Sequence, residues 1–197
     1  MKRDFFIGTF CKIDGTPLTF SKTTYEDRER IVSTGRFVGG SAEATSERAV
    51  SFSLEFIDYL TTNTFDDYAQ PFEFEHVTQG EAERGASGYL LKLKDSHDYL
   101  TVSPQTYYKK VEGRENGWRL EICKKTENGY RVMSHEELEL GSHEVIIRDH
   151  GRDKFWSEWG GATVHEHKWH YIAGVELKHY LTLKLEITRK LSKDIGI

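Results

Sequence analysis

Histidines are the residues whose number and spacing most directly suggest chemistry in this sequence. Four of them lie close together, at His165, His167, His170 and His179. Two histidines separated by one residue on a β-strand share a face, because successive side chains point to opposite sides of a sheet. Three imidazoles that meet on one Zn²⁺ and leave a coordination position open would activate a bound water near neutral pH. His165, His167 and His179 are therefore the candidate metal ligands, with Zn²⁺ as the candidate cofactor.

The elements that must position these histidines are two predicted strands, roughly residues 162–172 and 175–188. A two-residue loop between them would bury the charges of Glu166 and Lys168, which costs on the order of several kcal/mol for each unpaired charge. A three-residue loop over 172–174, which ends on a glycine, exposes both charges instead. We therefore expect the three-residue loop.

This register brings the histidines together on one buried face. His167 lies opposite His179 across the ladder, and His165 lies two residues further along the same strand face. The layout is similar to the zinc site of the α-type carbonic anhydrases, in these three residues alone. It implies a zinc-dependent hydrolase or lyase. The alternative is that the imidazoles bind no metal and are core histidines with satisfied hydrogen bonds, or surface residues.

Acidic residues concentrate between positions 41 and 83. This segment holds ten Asp and Glu residues and a single Arg, a net charge of −9 in a chain whose total is −5. A surface of one sign attracts partners of the other sign. The candidate binding residues taken from this segment are Asp58, Asp66, Asp67, Glu73 and Glu75. The alternative is a solvated surface that keeps the protein soluble.

A second candidate binding segment is HGRDKFWSEWGG, residues 150–161, which we expect to form a loop between strands. Phe155, Trp156 and Trp159 would give this loop an aromatic recognition surface for a protein partner. Alternatively, the rings fill the end of a barrel. A nucleic-acid platform would need aromatic residues interleaved with a basic patch. Since the chain is net acidic, we do not expect nucleic acid as the partner.

The fold class follows from hydrophobic periodicity. Alternation with a period of two recurs along the chain, whereas helical periodicity is rare. The opening FFIGTFCKIDGTPLTF predicts a hairpin around Asp14-Gly15, with Ile13 opposite Thr16 and Cys11 in the core. A short helix is expected over 41–49. The prediction is a mainly β protein, an antiparallel β-sandwich or barrel with long hairpins and at most one or two short helices, in a single domain over 1–197.

Composition excludes several classes of protein. No apolar run is long enough to cross a membrane, and the N-terminal residues lack the apolar stretch of a secretory signal. Two cysteines are too few for a disulfide framework. The sequence has no complete P-loop, dinucleotide-binding or serine-hydrolase motif. We therefore expect a cytoplasmic protein without membrane association.

The leading prediction for function is a soluble intracellular protein that binds a macromolecular partner, most simply another protein. A phage or bacterial inhibitor, or an immunity-type protein, would fit this description. One alternative is the zinc-dependent hydrolase or lyase, so that the sequence leaves open whether the chain is an enzyme. The other alternative is a structural assembly subunit of a virion or tail, whose hairpins extend a neighbour's sheet and which forms homo-oligomers.

Overall fold

The computed structural model describes residues 2–20, 23–37, 40–54, 59–64, 68–77, 88–102, 109–112, 118–150, 152–164, 167–176 and 179–194. The strands in these ranges are β1 (Lys2–Lys12), β2 (Leu18–Thr19), β3 (Thr23–Phe37), β4 (Gly40–Leu54), β5 (Thr61–Asn63), β6 (Pro71–Val77), β7 (Gly88–Leu93), β8 (Tyr99–Val102), β9 (Lys109–Glu112), β10 (Leu120–Thr126), β11 (Gly129–Val132), β12 (Gly141–Asp149), β13 (Lys154–Val164), β14 (His167–Val175) and β15 (Leu183–Asp194). All neighbouring strands are antiparallel. These ranges contain no α-helix, and the predicted mainly β class is confirmed. In the described part of the chain, no helix is long and apolar enough to pass through a bilayer.

Six strands close into a ring. The order β10–β7–β6–β1–β15–β12 returns to its start because β12 also pairs with β10. A sheet closed in this way is a barrel, and these six strands are called the barrel below. From β12 the sheet continues outward through β13, β14, β5 and β2, while β8 and β9 branch from β7. The barrel alternative of the sequence prediction therefore describes this sheet.

Alternate residues of the barrel strands fill its interior, as a period of two requires. These buried side chains include Phe6, Phe10, Phe72, Phe74, Leu91, Ile122, Ile147 and Leu185. Phe6 stacks on Phe74 with ring centroids 4.4 Å apart. Each aromatic or aliphatic side chain buried here contributes about 1.5–3 kcal/mol relative to an exposed one. The barrel strands are thus held together by a continuous aromatic and aliphatic core.

The chain divides into two compact units, Met1–Phe20 with Asp58–Ile197, and Ser21–Ile57. The second unit contains β3 and β4, which pair along their whole length and form a sheet of their own. The helix expected over 41–49 is wrong, because this segment belongs to β4 and its pairing with β3 overrides a weak helix propensity. The single domain stays a prediction, since compactness does not show whether units fold independently.

The first hairpin differs from the prediction by one residue. The N–H of Lys12 donates to the carbonyl of Thr16 at 2.7 Å, so the loop has three residues rather than two. Gly15, with φ of 91°, supplies the left-handed conformation that such a loop needs. A slip of one residue moves every side chain of a strand to the other face. Consequently Phe6 is buried, whereas Ile13 is 58% exposed.

Candidate functional site

The histidine-rich segment forms a different hairpin from the predicted one. Strand β14 pairs with β13, with Val164 opposite His167, and residues 172–174 lie within β14 rather than in a loop. The physical reason is that Lys154–Val164, which was predicted as a loop up to residue 161, is a single strand. It occupies the position beside β14 that the sequence analysis assigned to 175–188. The predicted register is therefore wrong.

The candidate zinc ligands do not meet in the predicted way, because the strand pairing differs from the predicted one. His165 lies outside the described residues. His167 begins β14, and His179 is exposed in the segment before β15. Strands β14 and β15 are not neighbours in the sheet, so His167 and His179 do not face each other across a ladder. The described residues contain no group of three or more His, Cys, Asp or Glu that could hold a metal ion. The zinc site and the zinc-dependent enzyme stay predictions.

The acidic candidates separate into two sets. Asp58, Asp66 and Asp67 lie outside the described residues. Glu73 and Glu75 are partly exposed positions of β6 that alternate with buried phenylalanines. Glu73 forms an ion pair with Lys92 on the neighbouring strand β7, at 3.1 Å. Because the Lys92 ammonium partly neutralises the Glu73 carboxylate, Glu73 attracts a basic partner less strongly.

The aromatic candidates lie on β13 rather than in a loop. Phe155 and Trp156 have no exposed surface, whereas Trp159 is 60% exposed. Trp156 packs in the barrel core, and Phe155 packs in a second cluster with Cys123 and Ile146. A ring without exposed surface cannot contact a partner, so the recognition-loop prediction is corrected for Phe155 and Trp156. Trp159 is the aromatic of this set that has surface to offer.

A cleft of about 400 Å³ opens beside the barrel core. Its lining includes His76, Tyr89, Ile122, Met133, His135 and Glu136. The imidazoles of His76 and His135 are stacked, with centroids 4.7 Å apart and planes 9° apart. The hydroxyl oxygen of Tyr89 lies 3.1 Å from His135 Nδ1. The volume falls within the range of small-ligand pockets. The three polar rings are among the hydrogen-bonding groups on its wall, together with Glu121, Ser134 and Glu136.

The electrostatics of the cleft favour the neutral forms of His135 and Tyr89. Burial, the neighbouring His76 and Lys190 together lower the pKa of His135 below the ordinary histidine value. Burial raises the pKa of the Tyr89 hydroxyl, and the carboxylate of Glu136 adds to this. At neutral pH the cleft therefore offers an uncharged imidazole hydrogen-bonded to a protonated phenol. Sequence analysis missed this cluster because its members are far apart in the chain and form no motif.

A buried ion pair was also missed. The ammonium nitrogen of Lys109, on β9, lies 2.6 Å from Asp149 Oδ2 at the end of β12, and the two side chains are 0% and 2% exposed. The indole N–H of Trp156 donates to Asp149 Oδ1 at 3.2 Å. Asp149 follows the buried Ile147 by two residues, which places it on the interior face of its strand. The alternation of apolar residues along β12 indicates that Asp149 faces inward. No pattern in the neighbouring sequence indicates that its partner is Lys109.

These features define an antiparallel β-barrel with a cleft beside its core, and a second unit of two strands. Comparison with models of known families, with curated proteins and with solved structures found no match for this chain. Its function therefore rests on its own geometry.

Proposed function

We propose that this protein acts by binding another protein chain along β3 and β4, and that this chain is a second copy of itself. Strands β3 and β4 together are called the ribbon below. The observation that supports the proposal is that the ribbon is a sheet of two strands, each 15 residues long. An isolated two-stranded sheet is at best marginally stable in water, whereas three or more strands with a covered face are stable. A partner chain would supply the missing neighbour.

The edges of the ribbon give the mode of binding. Each of its strands has one edge that pairs with no other strand in the described part of the chain. A long edge presents unpaired N–H and C=O groups, which are a template for the addition of a further strand. Two identical edges can pair antiparallel about a two-fold axis, which is the commonest symmetry of soluble oligomers. Strand addition between two copies therefore satisfies these backbone groups.

The charges of the ribbon favour a second copy as the partner. Strand β3 carries three arginines and three acidic residues, and β4 carries one arginine and two glutamates. A nearly neutral ribbon meets another copy without strong net repulsion, whereas a strongly charged one would select a partner of opposite sign. The net negative charge of residues 41–83 therefore does not prevent self-pairing through β4.

The test removes the ribbon and leaves the barrel. Thr19 on β2 lies opposite Thr61 on β5, so the two strands that flank the excised segment are neighbours in the sheet. Replacing residues 21–57 by Asn-Gly closes a short loop between these strands. Light scattering after size exclusion, over a concentration series, should show a dimer or larger assembly for the full chain. The excised variant should be monomeric, with an unchanged melting temperature.

If the full chain proves to be a monomer, hydrogen exchange of its ribbon amides distinguishes the possible explanations. A monomer whose ribbon amides are protected would refute the proposal, because the ribbon would then need no neighbour. A monomer whose ribbon amides exchange as in an unfolded chain would exclude the second copy as the partner. The proposal joins the predicted partner-binding role to the predicted assembly subunit. The inhibitor or immunity-type role, the phage or bacterial origin and the cytoplasmic location stay predictions.

A further inference from the structure

We propose that Lys109 and Asp149 condense to an intramolecular isopeptide bond, an amide between the lysine Nζ and the aspartate Cγ. The juxtaposition of these groups carries the proposal: Nζ lies 2.6 Å from Oδ2, and both side chains are almost completely buried. Neither residue lines the cleft beside the barrel core. A buried amine that contacts a buried carboxyl group can react with it directly.

Burial supplies the driving force for this reaction. Removing two opposite charges from water costs free energy that their mutual attraction offsets only in part. Condensation discharges both groups and leaves a neutral amide. Burial also lowers the pKa of the Lys109 amine below its ordinary value, and the attraction of Asp149 offsets this only partly. The neutral, nucleophilic form of the amine is thus more accessible here than in water.

The reaction needs no reagent from outside. One proton moves from the Nζ ammonium to Oδ2, which gives a neutral amine beside a carboxylic acid. The nitrogen lone pair then attacks Cγ, a C–N bond forms, and negative charge develops on Oδ1. On collapse, the bond from Cγ to Oδ2 breaks, and Oδ2 takes a second amine proton and leaves as water. The third proton stays on the amide nitrogen, so that atoms and charges balance.

The surroundings favour this course. Trp156 Nε1–H lies 3.2 Å from Oδ1, the oxygen on which charge develops, and a donor placed there stabilises the tetrahedral intermediate. The Trp118 ring lies 5.5 Å from the Lys109 nitrogen and helps to keep water away. Gly174 leaves room for the pair, because an added Cβ would lie 2.8 Å from Oδ2 and 3.2 Å from Nζ.

Intact mass of the denatured full chain tests the proposal. We expect the mass to be lower than that of the sequence by one water molecule. Proteolysis followed by tandem mass spectrometry should give a branched peptide that joins Lys109 to Asp149. A chain that keeps its full sequence mass, after long incubation at mildly acidic, neutral and mildly alkaline pH, would overturn the proposal.

The position of the loss must be determined, because Asp14-Gly15 can lose water by forming a succinimide. Hydroxylamine cleaves a succinimide and leaves an isopeptide bond intact. Water loss confined to Asp14 would therefore also overturn the proposal.

Two variants provide matched controls. Lys109→Met combined with Asp149→Leu replaces both buried charges by apolar side chains, a change that folded proteins often tolerate. This double variant should fold, as judged by circular dichroism, and keep its full mass. Gly174→Ala retains both reactive groups but separates them, so the fraction of condensed chain should fall. Water loss that persists undiminished in the double variant would contradict the proposal, whether or not Gly174→Ala folds.

Discussion

The imidazoles of His76 and His135 lie parallel, with their ring centroids 4.7 Å apart. The Tyr89 hydroxyl oxygen is 3.1 Å from His135 Nδ1, and the Tyr89 ring centroid is 5.2 Å from that of His76. Stacked neutral rings attract each other, whereas a proton on His135 must be accommodated in a partly desolvated site beside a second titratable ring. Asp4 and Glu136 attract such a proton, but burial, His76 and Lys190 outweigh them and lower the pKa of His135.

Acid should therefore destabilise the barrel through His135. Its folded pKa is lower than its unfolded pKa, so the unfolded chain binds more protons between the two values. Stability is fully present above the ordinary histidine pKa of about 6.5 and is lost as the pH falls from there toward the lowered value. Urea midpoints at pH about 7.5 and about 5.5 measure this loss. His135→Phe keeps a ring in the stack without a titrating group, and should reduce the difference between the two midpoints.

An exposed histidine gives the matched control for this experiment. His97 lies on the surface of the turn between β7 and β8. His97→Gln should leave the pH dependence of the urea midpoint as it is in the parent chain. An equal effect of His97→Gln and His135→Phe would contradict the assignment, since the acid sensitivity would then come from general charge repulsion.

The two tryptophans of β13 should respond very differently to truncation. Trp156 has no exposed surface and contacts Phe10 edge to face, with ring centroids 5.5 Å apart. Trp156→Ala should lower the free energy of unfolding by about 3–5 kcal/mol, since it leaves a large cavity in the core. Trp159→Ala, at a position that is 60% exposed, should change it by less than about 0.5 kcal/mol. Similar losses in both variants, measured by urea unfolding, would contradict the observed difference in burial between these two rings.

Gly161 allows a close approach between β13 and β14. Its φ is +105°, and a Cβ added to it would lie 2.1 Å from the carbonyl oxygen of Trp169. Gly161→Ala should destabilise the protein by about 3 kcal/mol or more, because backbone must move. Gly129 also has a positive φ, of +137°, but open space around it. Gly129→Ala should cost about 1 kcal/mol, from conformational strain alone. Thermal unfolding of both variants measures the difference, and equal costs would argue against the close approach of β14 to Gly161.

The sequence is informative about strands and much less so about how they pair. The alternation in PFEFEHV, residues 71–77, is typical of a strand, and this segment forms β6 with Phe72 and Phe74 buried. The face of the first hairpin is wrong, because Asp14-Gly15 indicates a turn but not whether its loop has two residues or three. Cys11 is therefore partly exposed rather than in the core. The choice between loop lengths depends on which face the rest of the barrel covers, and that is not local information.

The same limit explains the histidine segment. The alternation in residues 167–175 is compatible with pairing to the segment after it as well as to the segment before it, and the strand that β14 pairs with is β13. Its aromatic residues are read as a loop from the glycines and charges around them, yet two of the three rings are buried. The cleft and the Lys109–Asp149 pair lie beyond sequence reasoning for a related reason. Each joins residues that are far apart in the chain, His76 with His135 in the cleft and Lys109 with Asp149 in the ion pair, and no local pattern links them.

A polar network on the outside of the barrel should be strongly coupled. Glu121 is nearly buried and accepts hydrogen bonds from Arg148 Nε at 2.6 Å and from His150 Nδ1 at 2.8 Å. Arg148 also lies over the Tyr130 ring, 5.1 Å from its centroid. Glu121→Ala should lower the free energy of unfolding by about 2–4 kcal/mol, because it leaves the Arg148 guanidinium partly desolvated without its anion.

Glu121→Leu with Arg148→Met removes both charges and should lower the free energy of unfolding by less than the sum of the two single changes. A double-mutant cycle measures this coupling, which we expect to be about 1–3 kcal/mol. A coupling near zero would mean that water replaces the lost partner, and that the network contributes little to holding β10 against β12.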